Sequence, residues 1–166
     1  MPTSNPIEIL LAQNRWAMRN LINVCATLPS DELHRRFEMG PGSLHDTITH
    51  MLAAMRGWGD MLAGREQRAR LEGEKRTPKE LLELLDEISD DLEASARAHP
   101  TDELVTGSRG GKSYTFTRGG VLTHVTTHGM HHRAQCLNML RQLGVDPLPP
   151  SAVVEWMLTV DAAPVS

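Results

Sequence analysis

The chain has 166 residues, of which 40% are hydrophobic and 23% are charged, and its net charge is −4. This length suits one domain with an ample core, and both fractions are ordinary for a soluble globular protein. The negative charge argues against a nucleic-acid partner, and no apolar run approaches the length of a membrane span.

Residue usage favours helices over sheets. Aromatic residues make up 4% of the chain, whereas leucine, alanine and methionine are plentiful. We therefore expect a single, largely helical domain over residues 1–166. Cys25 and Cys136 lie far apart in sequence, which is typical of reduced thiols in a cytoplasmic protein, and we expect both to fill the core.

Two helices are predicted in the first half of the chain. The first has Asn5 as its N-cap and Pro6 at its first position, and its apolar residues keep helical spacing until Pro29. A short helical turn is predicted between residues 30 and 37. After a glycine–proline–glycine break at residues 40–42, Ser43 leads into a second helix over residues 44–62.

Two further long helices follow in the second half. Thr77, Pro78 and Glu80 form a capping box that starts a helix to about Arg97, and we expect the charged connection 64–76 before it to be solvated. Residues 99–120 are irregular, with a strand-like run at 113–116 that indicates a two-stranded turn. Thr117 caps the fourth helix, which runs to about residue 143, and a short helix lies near 151–159. The pattern predicts an all-α four-helix bundle with one long crossover and a short C-terminal helix.

The fourth long helix carries four histidines within nine residues: His124, His128, His131 and His132. An α-helix places residues four apart on one face, so two imidazoles at that spacing can bind one transition-metal ion. The pairs 124/128, 128/131 and 128/132 all have ligand spacing, whereas His124 and His131 are two turns, about 10 Å, apart. At about 100° per residue, His132 lies at the centre of the apolar stripe and His128 roughly 40° away. The 128/132 pair is therefore preferred.

A third ligand must come from elsewhere. His34 and His99 lie at segment edges, and we expect both to be exposed. His45 and His50 are both on the second helix. His50 lies on a face with small neighbours that leave room for a ligand, but periodicity alone does not choose between the two.

Three segments resemble the DinB/YfiT-like superfamily: residues 124–135 (HVTTHGMHHRAQ), 14–17 (NRWA) and 47–52 (TITHML). The resemblance covers nearly the whole chain. It implies a four-helix bundle, often a homodimer, that binds one divalent metal ion through three histidines, here His50, His128 and His132. The chain departs from many relatives in having Gly129 where they have a longer side chain, often Glu or Gln, and Ala134 where they have glycine.

Three imidazoles with an open fourth position are typical of catalytic metal sites. The resemblance implies a low-molecular-weight thiol, such as mycothiol or bacillithiol, that attacks a small electrophile as a metal-held thiolate. Imidazole suits zinc, nickel, iron and copper alike, and zinc is the default. Related hydrolase or isomerase chemistry at the same metal is also open. The non-catalytic alternatives are a metal-binding stress-response protein and a metal-free helical dimer with a polar histidine network.

Three polar residues are candidates for a catalytic or supporting role. Asn14 lies in the apolar stripe of the first helix, where its amide either orients a ligand or makes an internal hydrogen bond. Gln135 is one turn from His132 on the same face and could orient it. His124, nearer the rim, is a candidate partner of the ligands or a proton relay, or it makes only a local polar contact.

Three larger side chains on the helices have predicted structural roles. Arg133 points away from the apolar stripe and is predicted to be a solvated or dimer-contact charge. Trp16 lies opposite the core stripe of its helix and is predicted to anchor a dimer. Trp58 flanks the stripe of the second helix and is predicted to belong to the core.

Overall fold

The computed structural model describes residues 1–109 and 111–162. These residues form α1 (Pro6–Cys25), α2 (Ser30–Leu33), α3 (Leu44–Leu62), α4 (Pro78–Arg97), β1 (Leu104–Arg109), β2 (Lys112–Thr117), α5 (Arg118–Gln142) and α6 (Val153–Trp156), and a π-helical turn (Met157–Asp161) continues α6. The helical class is confirmed. The predicted single domain also includes residue 110 and residues 163–166, which lie outside the described residues, and its extent stays a prediction.

Each of the four long helices begins at the side-chain cap that the sequence predicts. The first backbone N–H groups of a helix lack partners within it, so a nearby side-chain oxygen stabilises the start. Such an oxygen accepts at every start: Asn5 from Ile7, Ser43 from Asp46, Thr77 from Glu80, and Thr117 from Gly120. Local sequence thus sets where the long helices begin.

The four long helices pack as a bundle in which α1 and α3 each contact both α4 and α5. The side chains between them are mainly aliphatic, and burying each large one stabilises the fold by about 1.5–3 kcal/mol. Because α3 and α5 are neighbours, histidines on the second and last long helices can meet. None of the helices among the described residues is both long and apolar enough to cross a membrane.

The predicted two-stranded turn is an antiparallel hairpin of β1 and β2, paired from Leu104 with Thr117 to Arg109 with Lys112. It crosses the bundle from α4 to α5 and packs against α3. Gly107 permits this contact, because a Cβ there would lie 2.9 Å from the Met61 sulfur. The hairpin therefore lies close to the helix that carries His50.

A few contacts anchor the connection between α3 and α4 to the bundle. Asp60 is buried, and its carboxylate accepts hydrogen bonds from Arg65 Nε at 2.7 Å and Arg68 Nε at 2.9 Å. Burial raises the pKa of Asp60, but the backbone N–H of Arg68 and the two guanidinium groups outweigh it, so the pKa lies below its usual range. Leu71 is also buried. Most side chains of residues 64–76 are exposed, as predicted. The buried Leu71 and the hydrogen bonds from Arg65 and Arg68 to Asp60 of α3 hold the segment against the bundle.

Arg133 is buried, with 1% of its surface exposed, so the prediction of a solvated or dimer-contact charge is wrong. Its guanidinium donates to Asn14 Oδ1 and, at 3.2 Å, to Ser151 Oγ. The apolar stripe gave the wrong prediction for Arg133 because α5 is covered by α1 as well as by α3. The buried arc is therefore wider than the stripe, and Gly129 and Arg133 face α1.

Gly129 makes room for this polar contact. A Cβ at residue 129 would lie 3.1 Å from Arg133 Nη1 and closer still to Asn14 Oδ1. The Asn14 amide of α1 and the Arg133 guanidinium of α5 thus occupy the space that a longer side chain at residue 129 would take.

Gly129→Ala is predicted to lower the free energy of unfolding by about 1–3 kcal/mol, because overpacking must displace a buried hydrogen-bonded pair. Urea unfolding followed by circular dichroism measures the change. Gly59→Ala is the matched control: it is also a buried helical glycine, but its Cβ would meet only Leu92, at 3.8 Å. It should be neutral or stabilising by up to about 1 kcal/mol. Equal losses in the two variants would contradict the account.

Candidate metal centre

Three histidine rings converge between α3 and α5. His50 comes from α3, and His128 and His132 lie one turn apart on α5. The ring centroids are 5.1 Å apart for His50 and His128, 4.7 Å for His50 and His132, and 4.5 Å for His128 and His132. All three side chains are half-buried, so the cluster is reached from solvent on one side. The structure therefore brings together the three residues that the sequence and the resemblance predict.

The arrangement fits a divalent transition-metal ion. One ring nitrogen from each histidine lies within 4.8 Å of the other two. A metal held at about 2.0–2.1 Å keeps its imidazole nitrogens roughly 3.3 Å apart. Side-chain rotations that move each ring nitrogen by about 1 Å would bring the three nitrogens to that spacing. Among the described residues, no cysteine or carboxylate joins the group within that distance. Three imidazoles then leave a coordination position for an external ligand.

The surroundings of His128 and His132 favour the neutral form of both rings. Burial lowers the pKa of His128 to about 4, with further lowering from His132, His50 and His124 nearby. Burial also lowers the pKa of His132, although its hydrogen bond to Gln135 opposes this. A neutral imidazole has a lone pair available for a metal, and an imidazolium does not. His128 and His132 therefore have lone pairs available at neutral pH.

His132 lies at the edge of the buried face of α5, half-exposed, and not at its centre as predicted. Gln135 contacts it as predicted, since His132 Nδ1 and Gln135 Oε1 are 2.7 Å apart. The Gln135 amide nitrogen lies 3.4 Å from Nε2 of the exposed His131. The Gln135 side chain thus joins His131 and His132.

His45, the alternative to His50 on the second helix, lies outside the cluster. It is buried, its Nε2 accepts the backbone N–H of Arg76 at 3.0 Å, and its Nδ1 is 3.1 Å from Asp46 Oδ1. Its ring stacks on His34 with centroids 4.7 Å apart. These contacts occupy both ring nitrogens, so His45 has a structural role.

His34 and His99, the two histidines at segment edges, differ in exposure. His99 is exposed and contacts Glu103 at 3.0 Å, as expected of a histidine at a segment edge. His34 was also expected to be exposed, but it is half-buried, and its ring stacks on that of His45. Neither ring approaches the cluster.

His124 continues the ring contacts from the cluster to the hairpin. Its ring centroid is 5.6 Å from that of His128 and 5.1 Å from that of Trp58. Trp58 packs on the core as predicted and also contacts Phe116, which stacks with Tyr114. We call Trp58, Phe116 and Tyr114 the aromatic ledge. The Trp58 ring of this ledge contacts the ring of the exposed His124.

Asn14 makes the internal hydrogen bond that was one of its two predicted roles. Its side chain is buried, accepts from Arg133, and points its amide nitrogen at the Met55 sulfur, 3.6 Å away. It contacts none of the three clustered rings through a hydrogen bond. Asn14 therefore joins α1 to α5 and α3.

One residue near the cluster has no signal in the sequence pattern. Glu72, in the connection between α3 and α4, places its carboxylate 3.9 Å from His50 Nδ1. This distance is too long for a hydrogen bond, but a small rotation would make the carboxylate an acceptor for that ring nitrogen. Only the folded position of the connection, which Asp60 and Leu71 anchor, brings Glu72 there.

The fold and the cluster define a class: a four-helix bundle with a three-histidine candidate metal centre between two helices. The model of the DinB family matches residues 1–157, so the chain belongs to that family. It is also similar to Protein DinB of Bacillus subtilis (strain 168), with 22% identity over 152 residues that cover 84% of this chain and 87% of that protein. The resemblance stated from the motifs is confirmed.

The metal-free protein is predicted to lose stability as the pH falls from about 6.5 towards 4. In the unfolded chain His128 takes up a proton near its ordinary pKa of 6.5, whereas in the folded protein its pKa is about 4. The unfolded state therefore binds more protons in this pH range. The stability that neutral His128 contributes is fully present above about pH 6.5 and is lost below about pH 4. Urea unfolding in the presence of a chelator, at about pH 7 and about pH 5, measures the effect.

His128→Gln should show a smaller loss over this window than the wild-type protein. His99→Gln, which changes an exposed histidine far from the cluster, should keep the wild-type dependence. If His128→Gln and the wild-type protein lose the same stability, the depressed His128 pKa is wrong.

Proposed function

We propose that this protein binds one divalent metal ion through His50, His128 and His132 and uses it to transfer a low-molecular-weight thiol to a small electrophile. Zinc is the default ion, with nickel or iron as alternatives. The observation that carries the proposal is the convergence of three half-buried imidazoles, each with a ring nitrogen within 4.8 Å of the other two. A purely structural site would be closed by four protein ligands.

A bound divalent ion with an open position supplies a Lewis acid that lowers the pKa of a coordinated thiol and holds its sulfur in place. The thiol has to come from outside the chain. Cys25 and Cys136 are both buried, and burial raises the pKa of Cys25 to about 12 and raises that of Cys136 as well. Neither can act as a nucleophile at neutral pH.

The transfer itself conserves atoms and charge. The thiol sulfur forms a bond to the electrophilic carbon, the bond from that carbon to its leaving group breaks, and the leaving group departs with the electron pair. The thiol proton passes to a base. His124 is placed for this task, since it is exposed beside His128 yet outside the three converging rings.

The aromatic ledge suits a flat or apolar electrophile. Phe116 and Tyr114 remain 40% and 43% exposed, although the chain has only six aromatic residues. Trp58 links them to His124. An apolar molecule that covers these rings removes aromatic surface from water next to the open side of the cluster.

We also propose that the protein acts in the cytoplasm as a homodimer, without a nucleic-acid or membrane partner. The net charge of −4 is consistent with the absence of a nucleic-acid partner. Trp16 is half-buried in the single chain, so part of the predicted dimer anchor stays accessible.

Protein purified without an affinity tag is predicted to contain about one metal ion per chain, because three imidazoles bind one ion. His50→Ala, His128→Ala and His132→Ala should each abolish the content measured by elemental analysis. His131→Ala is the matched control: it removes a neighbouring imidazole that also has ligand spacing to His128 but lies outside the cluster. Retention of metal by His50→Ala, or its loss in His131→Ala, would refute this ligand set.

The metal-loaded protein is predicted to conjugate a low-molecular-weight thiol to monochlorobimane, with release of chloride. A panel of such thiols, followed by fluorescence, should identify at least one whose rate falls to background in His132→Ala, because the thiol loses its activating ion. Full metal content with no rate above background for any thiol would favour the alternative, a non-catalytic metal-binding protein.

A further inference from the structure

The orientation of one amide selects which ring nitrogen of neutral His132 carries the proton. His132 Nδ1 lies 2.7 Å from Gln135 Oε1, and Gln135 Nε2 lies 3.4 Å from His131 Nε2. An amide oxygen only accepts, so in this orientation the proton of neutral His132 is on Nδ1 and the lone pair is on Nε2. The flipped amide would donate to Nδ1 and leave the proton on Nε2. That tautomer cannot use Nε2 to coordinate a metal.

Gly40 lies against the Gln135 amide. A Cβ at Gly40 would be 2.9 Å from Gln135 Cδ, 3.3 Å from Nε2 and closer still to Oε1. Gly40 also has φ of +50°, a conformation that other residues rarely adopt. The backbone at this position therefore occupies the space next to an amide that is otherwise only half-buried on α5.

The loop of residues 40–42 is itself held in place. The N–H of Phe37 donates to the carbonyl of Gly42 at 2.7 Å, and the N–H of Gly42 donates to the carbonyl of Met39 at 3.0 Å. Arg36, next to Gly42, pairs with Asp46 in the first turn of α3 at 2.7 Å. The loop is thus fixed to the helix that carries His50 while it contacts an amide on α5.

We propose that Gly40 is a positioning residue for the histidine cluster: its lack of a side chain lets the 40–42 loop close on Gln135 and keep the His132 proton on Nδ1. This inference rests on the proposed function, because the nitrogen that it prepares is a proposed metal ligand. The contact of the 40–42 loop with Gln135 also links the start of α3 to α5, in addition to the histidine cluster.

The test compares Gly40→Ala with Gly64→Ala. Gly64 is also an exposed glycine with positive φ, +64°, but a Cβ there would meet nothing within 4 Å. Zinc affinity is measured by competition with a chelator. Gly40→Ala should bind zinc about ten- to a hundredfold more weakly than Gly64→Ala, the range typical of a lost partner of a metal ligand. Equal affinities in the two variants would overturn the proposal.

Two further measurements separate positioning from a loss of fold. In a Gln135→Ala background, Gly40→Ala should weaken zinc binding no further, because the amide that it would displace is absent; additive losses would overturn the proposal. Nitrogen-15 NMR of the metal-free protein above pH 7 should show His132 protonated on Nδ1 in the wild type and in Gly64→Ala, and a shift towards Nε2 in Gly40→Ala. An unchanged tautomer in Gly40→Ala would also overturn it.

The tautomer measurement needs no metal. If the wild-type protein binds none of zinc, nickel and iron, the proposed function fails, while the NMR comparison still decides the role of Gly40. If the wild-type protein binds zinc and Gly40→Ala behaves as Gly64→Ala, only the positioning role fails.

Discussion

Three imidazoles converge between α3 and α5, and the surroundings of two of them, His128 and His132, favour the uncharged form. Burial and mutual repulsion both oppose protonation, and together they lower the pKa of His128 to about 4. A neutral imidazole has a lone pair that a metal cation can accept. The proposed chemistry depends on this convergence, which the packing of the surrounding helices maintains.

The bundle maintains the convergence at two levels. Packing of α3 against α5 sets the distance between His50 and the pair on α5, and side-chain caps set where these helices begin. The connections then supply groups around the rings. The loop before α3 places Gly40 on Gln135, and the connection after α3 places Glu72 beside His50. The helices thus determine which rings meet, and the connections place further groups near them.

The sequence predicts the helices well because their signals are local. The caps at Ser43 and Thr77 and the i, i+4 spacing of His128 and His132 depend on neighbours in the chain, and the structure agrees with each. The choice of His50 over His45 was beyond periodicity, since both lie on the same helix. It followed from the family motif, and the structure explains it, because contacts with Arg76 and Asp46 occupy His45.

Long-range contacts account for the failures. Arg133 was predicted to be solvated because the stripe of α5 was drawn from apolar residues alone, whereas Asn14 on α1 provides a polar partner in the interior. Gly40 and Glu72 carry no pattern that relates them to histidines far away in sequence. Their positions depend on how the connections fold back onto the bundle, and this depends on tertiary contacts such as those of the buried Asp60.

X-ray absorption at the metal edge, on tag-free protein loaded with one zinc ion per chain, tests the central claim most directly. The account predicts three imidazole nitrogens at about 2.0–2.1 Å and one light atom from solvent, which a sulfur at about 2.3 Å replaces when a reactive thiol is added. A shell with two imidazoles or fewer, or one already closed by four protein ligands, would contradict it.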